Sequence, residues 1–296
     1  MKLRDNAMDF YLTALLQGLC FSGIALGIYI SMKIFNIPDI TTDGSYALGG
    51  IVTGVMLTHQ YPLYISLVVV ILAGGLAGAI TGLIHTKLKI NALLAGILVM
   101  TALYSINLSI AGRSNLPLIG TASIFNALNF TAYVNVNTFI ILLLIVVILA
   151  GTIGYLLKTD FGIAMRATGN SETMIRALGV NTDRMKITGL ALANALTALS
   201  GFLITQLQGF ADISMGVGVV IIGLGSVIIG ETLIGWLRIT SVWSSLLLVI
   251  AGTIVFQLVL AITLAIGVNP NLLKMVTAVL VLLIVSLPRL SFKSHD

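Results

Sequence analysis

The chain has 296 residues, of which 58% are hydrophobic and only 8% charged, with a formal net charge of +5. A soluble domain carries about a quarter charged residues, so this chain has too few polar groups to coat a water-facing surface. Nucleic-acid binding would need a clustered basic patch on such a surface, and that is excluded too; the basic excess suits loops that face anionic lipid.

A helix needs roughly 20 apolar residues to cross the hydrocarbon core. In chain order, charge-free runs of that length fall at 11–32, 64–84, 92–111, 138–157, 187–211 and around 243–266, inside the long apolar stretch 239–273. Shorter candidates are 45–57, the glycine-interrupted 217–229, and 275–287. The expectation is an all-α polytopic transmembrane helical bundle of about nine segments, within a range of roughly 8–10. Barrel strands would show about ten residues of alternating polarity, and these runs are continuous and longer. The N-terminal charges are mixed (Lys2, Arg4, Asp5, Asp9), and the run that follows exceeds a signal-peptide core, so it reads as the first retained span. The single cysteine, Cys20, lies inside it and leaves no disulfide within the chain.

Positive charge in short loops marks the cytoplasmic side. Lys87 and Lys89 close one span, and Lys158, Arg166, Arg176, Arg184 and Lys186 crowd the largest hydrophilic loop. Arg289 and Lys293 follow the last span, whereas 113–137, 212–216 and 267–271 carry almost no basic residues. The two sets alternate span by span, which places the large loop and the C-terminus inside. The N-terminus depends on 45–57: outside if that segment crosses, inside if it re-enters as a half helix. No stretch outside the spans is long enough for an independent core, and no G-x-x-x-x-G-K-[ST] phosphate loop occurs. If ATP drives this protein, another chain supplies the ATPase.

Glycine marks two places. Gly74, Gly78 and Gly82 share one helix face, and ordinary close helix packing is their plainer reading. Glycines 216, 218, 223, 225, 230 and 235 are denser than packing needs and suggest a broken segment that lines a pathway. Asp39-Ile40-Thr41 inside and Asp212-Ile213-Ser214 outside each precede a short glycine-containing segment. An inverted repeat would give that relation, although three matched residues are within the reach of chance.

Within 158–186, Asn170 or Ser171 can cap a helix start. Glu172 lies in the first turn, where a carboxylate favours the dipole. Met174, Ile175 and Leu178 form a small apolar face, and Gly179 suits a left-handed cap. A helix of about two turns is marginal alone in water. It should therefore be ordered by packing, on its own membrane helices, in a groove on another protein or on the bilayer surface.

Four stretches resemble the ABC permeases of the branched-chain amino acid and ribose importer superfamily, and within it the permeases paired with lipoprotein binding proteins of the tryptophan/tyrosine-type group. They are Ile37-Pro-Asp-Ile-Thr-Thr-Asp-Gly-Ser-Tyr-Ala-Leu-Gly49, the segment from His85 to Asn107, Arg166-Ala-Thr-Gly-Asn170 through Val180-Asn-Thr-Asp-Arg-Met-Lys186, and Gln208-Gly-Phe-Ala-Asp-Ile-Ser-Met-Gly216 through Gly230-Glu231. The resemblance spans nearly the whole chain; 113–137 matches least. It implies one permease domain over 1–296 in the cell membrane, with 158–186 as a cytoplasmic coupling loop. Through Arg166, Asn170, Ser171, Glu172, Met174, Ile175, Leu178 and Gly179 that loop would seat on an ABC ATPase subunit. It also implies a second permease copy and an extracytoplasmic substrate-binding protein, a lipoprotein. The solute would be small, an amino acid. ATP would be bound by the separate subunit, so this chain itself carries no cofactor.

Asn107, Asn194, Thr197, Gln206, Gln208 and Gln257 are the candidates for a translocation path, with hydrogen bonding between helices as the plainer role of each. Asn194 and Thr197 share a face and Gln208 ends the same span, which makes that span the first choice. No carboxylate is expected deep in a span; Glu231 falls near a span end and Asp212 at the outer edge. Ion-coupled carriers usually need intramembrane acids or broken-helix carbonyl sites; their scarcity here favours an externally powered permease, with an ion-coupled secondary transporter as the alternative. His59, His85 and His295 have no metal-ligand spacing, and no catalytic constellation is visible.

Overall fold

A computed structural model describes residues 2–127, 130–131, 133–238 and 241–292, without the side chains of 2–9 and 287–292. The side chains of Lys2, Arg4, Asp5, Asp9 and Arg289, and residues Lys293 and His295, lie outside the described residues. The order is α1 (Lys2–Cys20), α2 (Ser22–Ile28), a wide π-type turn (Tyr29–Ile34), α3 (Thr41–Thr58), α4 (Leu63–Lys87) and α5 (Ala92–Ala111). Then come β1 (Asn115–Pro117), α6 (Ile124–Ala127), α7 (Val134–Lys158), α8 (Asp160–Asn170), α9 (Glu172–Ala177) and α10 (Thr182–Gln208). The chain ends with β2 (Phe210–Asp212), α11 (Val219–Leu237), α12 (Val242–Ala265) and α13 (Leu273–Phe292).

Seven helical segments among the described residues are long and apolar enough to cross a membrane. They match the long runs of the sequence, together with the glycine-rich 217–229. α3 falls below that hydropathy because it is enclosed by protein: fourteen of its eighteen residues are buried. A helix that meets no lipid needs no apolar stripe for it, so threonine, serine and glycine suffice. Its first residue, Thr41, shares a 2.8 Å hydroxyl contact with Thr81 near the basic end of α4. Near its far end, Gly54 faces Leu116 and Ala211 on the poorly charged side. α3 therefore crosses. Thr13 and Leu16 of α1 line a cavity with Leu118 and Gln208, while Asn36, after the π-type turn, donates to the Gly169 carbonyl. α1 thus starts at the end of the bundle that carries Leu118 and Gln208, opposite the basic loops.

α10 is the central rod, packed on α2, α3 and α4. Gly74, Gly78 and Gly82 meet its backbone near Asn194, Leu190 and Ile187, so the small-residue stripe is a packing seam. On the outer side β1 and β2 pair antiparallel, with Leu116 opposite Ala211. The chain then dips inward as a 3-10 turn, Ile213–Gly216. Met215 lies against Gly50, and Gly216 against the Asp43 carbonyl. Gly218, at φ 86°, adopts the left-handed backbone that lets the chain turn into α11. The expected break is thus at 213–218. Gly223, Gly225 and Gly230 sit inside a continuous helix and pack on Ile28, Phe256 and Val249.

Replacing Gly78 by leucine should force α4 off α10, where an added Cβ would clash with the Leu190 carbonyl. The expected loss is about 1–3 kcal/mol, read as a lower denaturation temperature in detergent. Gly151→Leu, at a position with open space around it, should leave that temperature unchanged.

Candidate functional site

At the basic end of the bundle α8 and α9 form an elbow between α7 and α10. Thr159 caps α8 by accepting the Gly162 N–H at 3.3 Å. Gly162, Met165 and Thr168 make the buried face of α8, and Gly169 presses on the Ile34 carbonyl. Asn170 is the last residue of α8, so it does not cap the next helix. Ser171 holds the cap position of α9 in an extended conformation without a side-chain bond. Gly179, at φ 86°, ends the elbow as the sequence suggests. The expected apolar face divides: Ile175 is 8% exposed and packs inward, while Met174 at 61% and Leu178 at 71% point away. Arg166 lies half-buried, its Nε without a hydrogen-bond partner. Nearby on this side, Lys33 pairs with Glu231 at 2.9 Å and ties the π-type turn to α11.

A polar network that the sequence reading missed holds the elbow. Arg176 donates to Glu172 at 2.8 Å and to the Thr182 hydroxyl at 2.8 Å. Lys186 reaches the second Glu172 oxygen at 2.6 Å, and Lys87 binds Asp183 at 2.9 Å. Lys186, hydrogen-bonded to it, holds the Glu172 carboxyl below the usual carboxylate range. The Glu172/Arg176 spacing of i, i+4 was the one local signal for this.

No carboxylate was expected deep in a span; the structure buries one just before a span, Asp39, and sets a second, Asp43, partly buried in the first turn of α3. Asp39 is 3% exposed. It accepts the Thr41 N–H at 2.9 Å and the Asn194 amide at 2.7 Å. Asn194 in turn accepts the Ser45 hydroxyl at 2.7 Å and donates to the Leu190 carbonyl at 3.0 Å. Asp43 accepts the N–H groups of Gly218 and Val220 at 2.9 and 2.7 Å, capping the start of α11 from across the bundle. Both acids precede the short apolar segment 45–57, and the chain folds this stretch back into the protein. Asp212 accepts the Ser214 N–H at 2.8 Å, the same i to i+2 turn that Asp39 makes with Thr41.

The path candidates separate. Asn194 and Thr197 are fully buried, and Thr197 bonds back to the Ala193 carbonyl. Asn107 lines a hollow of about 280 Å³ between α3 and α5. Gln206 accepts the Ile124 N–H at 2.9 Å beneath the outer loop. Gln208 and Gln257 both line a cavity of about 640 Å³ bounded by α1, α3, α12, α13 and the dipping 210–219 segment. Phe21 and Tyr46 stack at its wall, with ring centroids 5.9 Å apart. The volume falls in the usual range for small-molecule sites, about 300–1,000 Å³.

With this geometry in place, comparison with known proteins is informative. The family profile described as branched-chain amino acid transport system / permease component matches residues 10–285. A tyrosine transport system permease protein from Clostridioides difficile (strain R20291) is 36% identical over 93% of this chain and 90% of its own length. An uncharacterized protein of Rickettsia prowazekii (strain Madrid E) is 34% identical over 94% and 98%. A ribose import permease protein from Haemophilus influenzae is 28% identical over 76% and 70%. Among solved structures, an ABC transporter in an inward-facing conformation shares the fold with a TM-score of 0.51 at 16% identity, over 91% of this chain and 81% of that one.

Two outcomes test the geometry. Asn194→Ala should leave Asp39 and Ser45 short of partners and cost about 1–3 kcal/mol, measured by thermal unfolding in detergent. For Glu172 the depressed pKa means that its contribution is present above the unfolded value, about 4.3, and is lost only as pH falls through the lower folded value. Hydrogen exchange in α9 should therefore stay slow through pH 4.3 and rise below it, while Glu172→Gln should exchange faster at neutral pH.

Proposed function

The chain belongs to the branched-chain amino acid transport system permease component family, and from that premise we propose that it passes an amino acid, an aromatic one, across the membrane as half of a homodimer. It is the multi-pass permease subunit of an ABC importer, a family of transport permeases. ATP is bound by a separate subunit, and solute arrives from an external binding protein anchored as a lipoprotein. The tyrosine permease relative supports the amino-acid reading.

The observation that carries the ATPase interface is the α8–α9 elbow. One side of α9 is fastened by Glu172, Arg176 and Lys186, so Met174 and Leu178 stand exposed on the basic face of the protein. Apolar side chains held outward on a fastened short helix fit a groove on a partner. ATP-driven closure of the partner would push the elbow against the inner ends of α7 and α10. Gln208 and Gln257 support the outward cavity as part of the path; Asn194 and Thr197 act within the packing of α10.

Tagged protein in mild detergent should bring down an ABC ATPase, and Met174→Asp with Leu178→Asp should lose it by about tenfold or more while eluting as a folded monodisperse species. Ile175 stays unchanged because it is buried. Absence of any ATPase from the native preparation, with ion-gradient-driven uptake in proteoliposomes, would establish the secondary-transporter alternative instead.

A further inference from the structure

We propose that the outward cavity is a subsite for the zwitterionic head of an amino acid, with Lys274 taking the carboxylate, Asp212 the ammonium, and Phe21, Tyr46 and Phe210 flanking an aromatic side chain. The inference rests on the amino-acid reading above and adds the groups that recognise the solute. All five residues line the same cavity of about 640 Å³.

Lys274 is placed against two general tendencies. It is the second residue of α13, where the helix dipole disfavours a cation, and it lies on the outer side, where basic residues are scarce. Among the described residues it makes no ion pair. Asp43, the acid within its electrostatic reach, already has each oxygen occupied by a backbone N–H of the α11 start. An exposed ammonium without an ion-pair partner, opening on this cavity, can take an anion through a charge-assisted hydrogen bond. Gln257 on α12 lines the same wall and its amide can donate to a carboxylate; the Thr277 hydroxyl is already given to the Lys274 carbonyl, at 2.7 Å.

Asp212 presents the opposite charge. One of its oxygens is used by the N–H and hydroxyl of Ser214. The other has only a long contact to the Asn115 amide, at 3.4 Å, and keeps lone pairs for an ammonium. Amides alone would serve a sugar as well as an amino acid. Two opposite charges on one cavity discriminate, because a neutral solute leaves both unpaired.

The test uses the chain co-purified with its ATPase in lipid nanodiscs, without binding protein, and reads the denaturation temperature against ligand concentration. The probes are L-tyrosine, tyramine (no carboxylate), 3-(4-hydroxyphenyl)propionate (no ammonium) and ribose. Tyrosine should raise the temperature, and each single-charge analogue should need a concentration about tenfold higher. Lys274→Gln should abolish the difference between tyrosine and tyramine, and Lys274→Arg should keep it. Asp212→Asn should abolish the difference between tyrosine and the propionate. If Asp212→Asn disturbs the Ser214 turn, the analogue series on the native chain decides alone. Equal responses to tyrosine, tyramine and ribose overturn the proposal. So does the absence of any shift in a preparation that hydrolyses ATP, an outcome that leaves the importer reading standing. A tyrosine-selective shift in a preparation that never retains an ATPase supports the subsite and overturns the importer reading.

Discussion

A carboxylate buried among helices is stable only if donors replace the water it gave up. Asp39 finds them in the Thr41 N–H and the Asn194 amide. That second bond joins α3 to α10, and Ser45 closes the knot from the α3 side. Four residues on, Asp43 does the same for α11 by taking its first N–H groups. Two helices that begin inside the protein thus have their ends satisfied by acids on one short segment. The placement of α10, the depth of the dipping segment and the wall of the outward cavity follow from that arrangement.

α10 has 27 residues, about 40 Å at 1.5 Å per residue, and carries the knot near its middle. Its inner end holds the α9 network through Thr182 and Lys186. Its outer end carries Gln206 and Gln208, one under the outer loop and one in the solute-sized cavity. The glycine seam on α4 fixes the rod laterally. Force applied at the elbow therefore meets a stiff element that reaches both faces.

Much of this was legible in the sequence, and the exceptions share a cause. Apolar run length marks the spans because lipid imposes it, and basic residues mark the side because they are local. Gly179 was readable because a left-handed cap has a local residue preference. The roles of Asp39 and Asp43 were not readable: the Asn194 partner of Asp39 is 155 positions away and those of Asp43 are 175 and 177 away, so no window contains both. α3 looked too short and too polar because hydropathy assumes a lipid neighbour that this helix lacks. The split of Met174 and Leu178 from Ile175 depends on what lies under α9, which periodicity does not encode. Asn194 looked suited to a pathway by type; its side chain is instead committed to three hydrogen bonds within the packing.

The small pairing of β1 with β2 ties distant regions together. Residues 115–117 belong to the outer loop, and 210–212 lead straight into the segment that reaches Asp43 and starts α11. A ligand or partner that shifts the outer loop by the width of one strand must break this ladder or drag the dipping segment with it. α11 runs on to Glu231 and its bond with Lys33. One continuous stretch of chain thus runs from the β1–β2 ladder, past the Asp43 cap, to the Lys33–Glu231 pair towards the opposite end of α11.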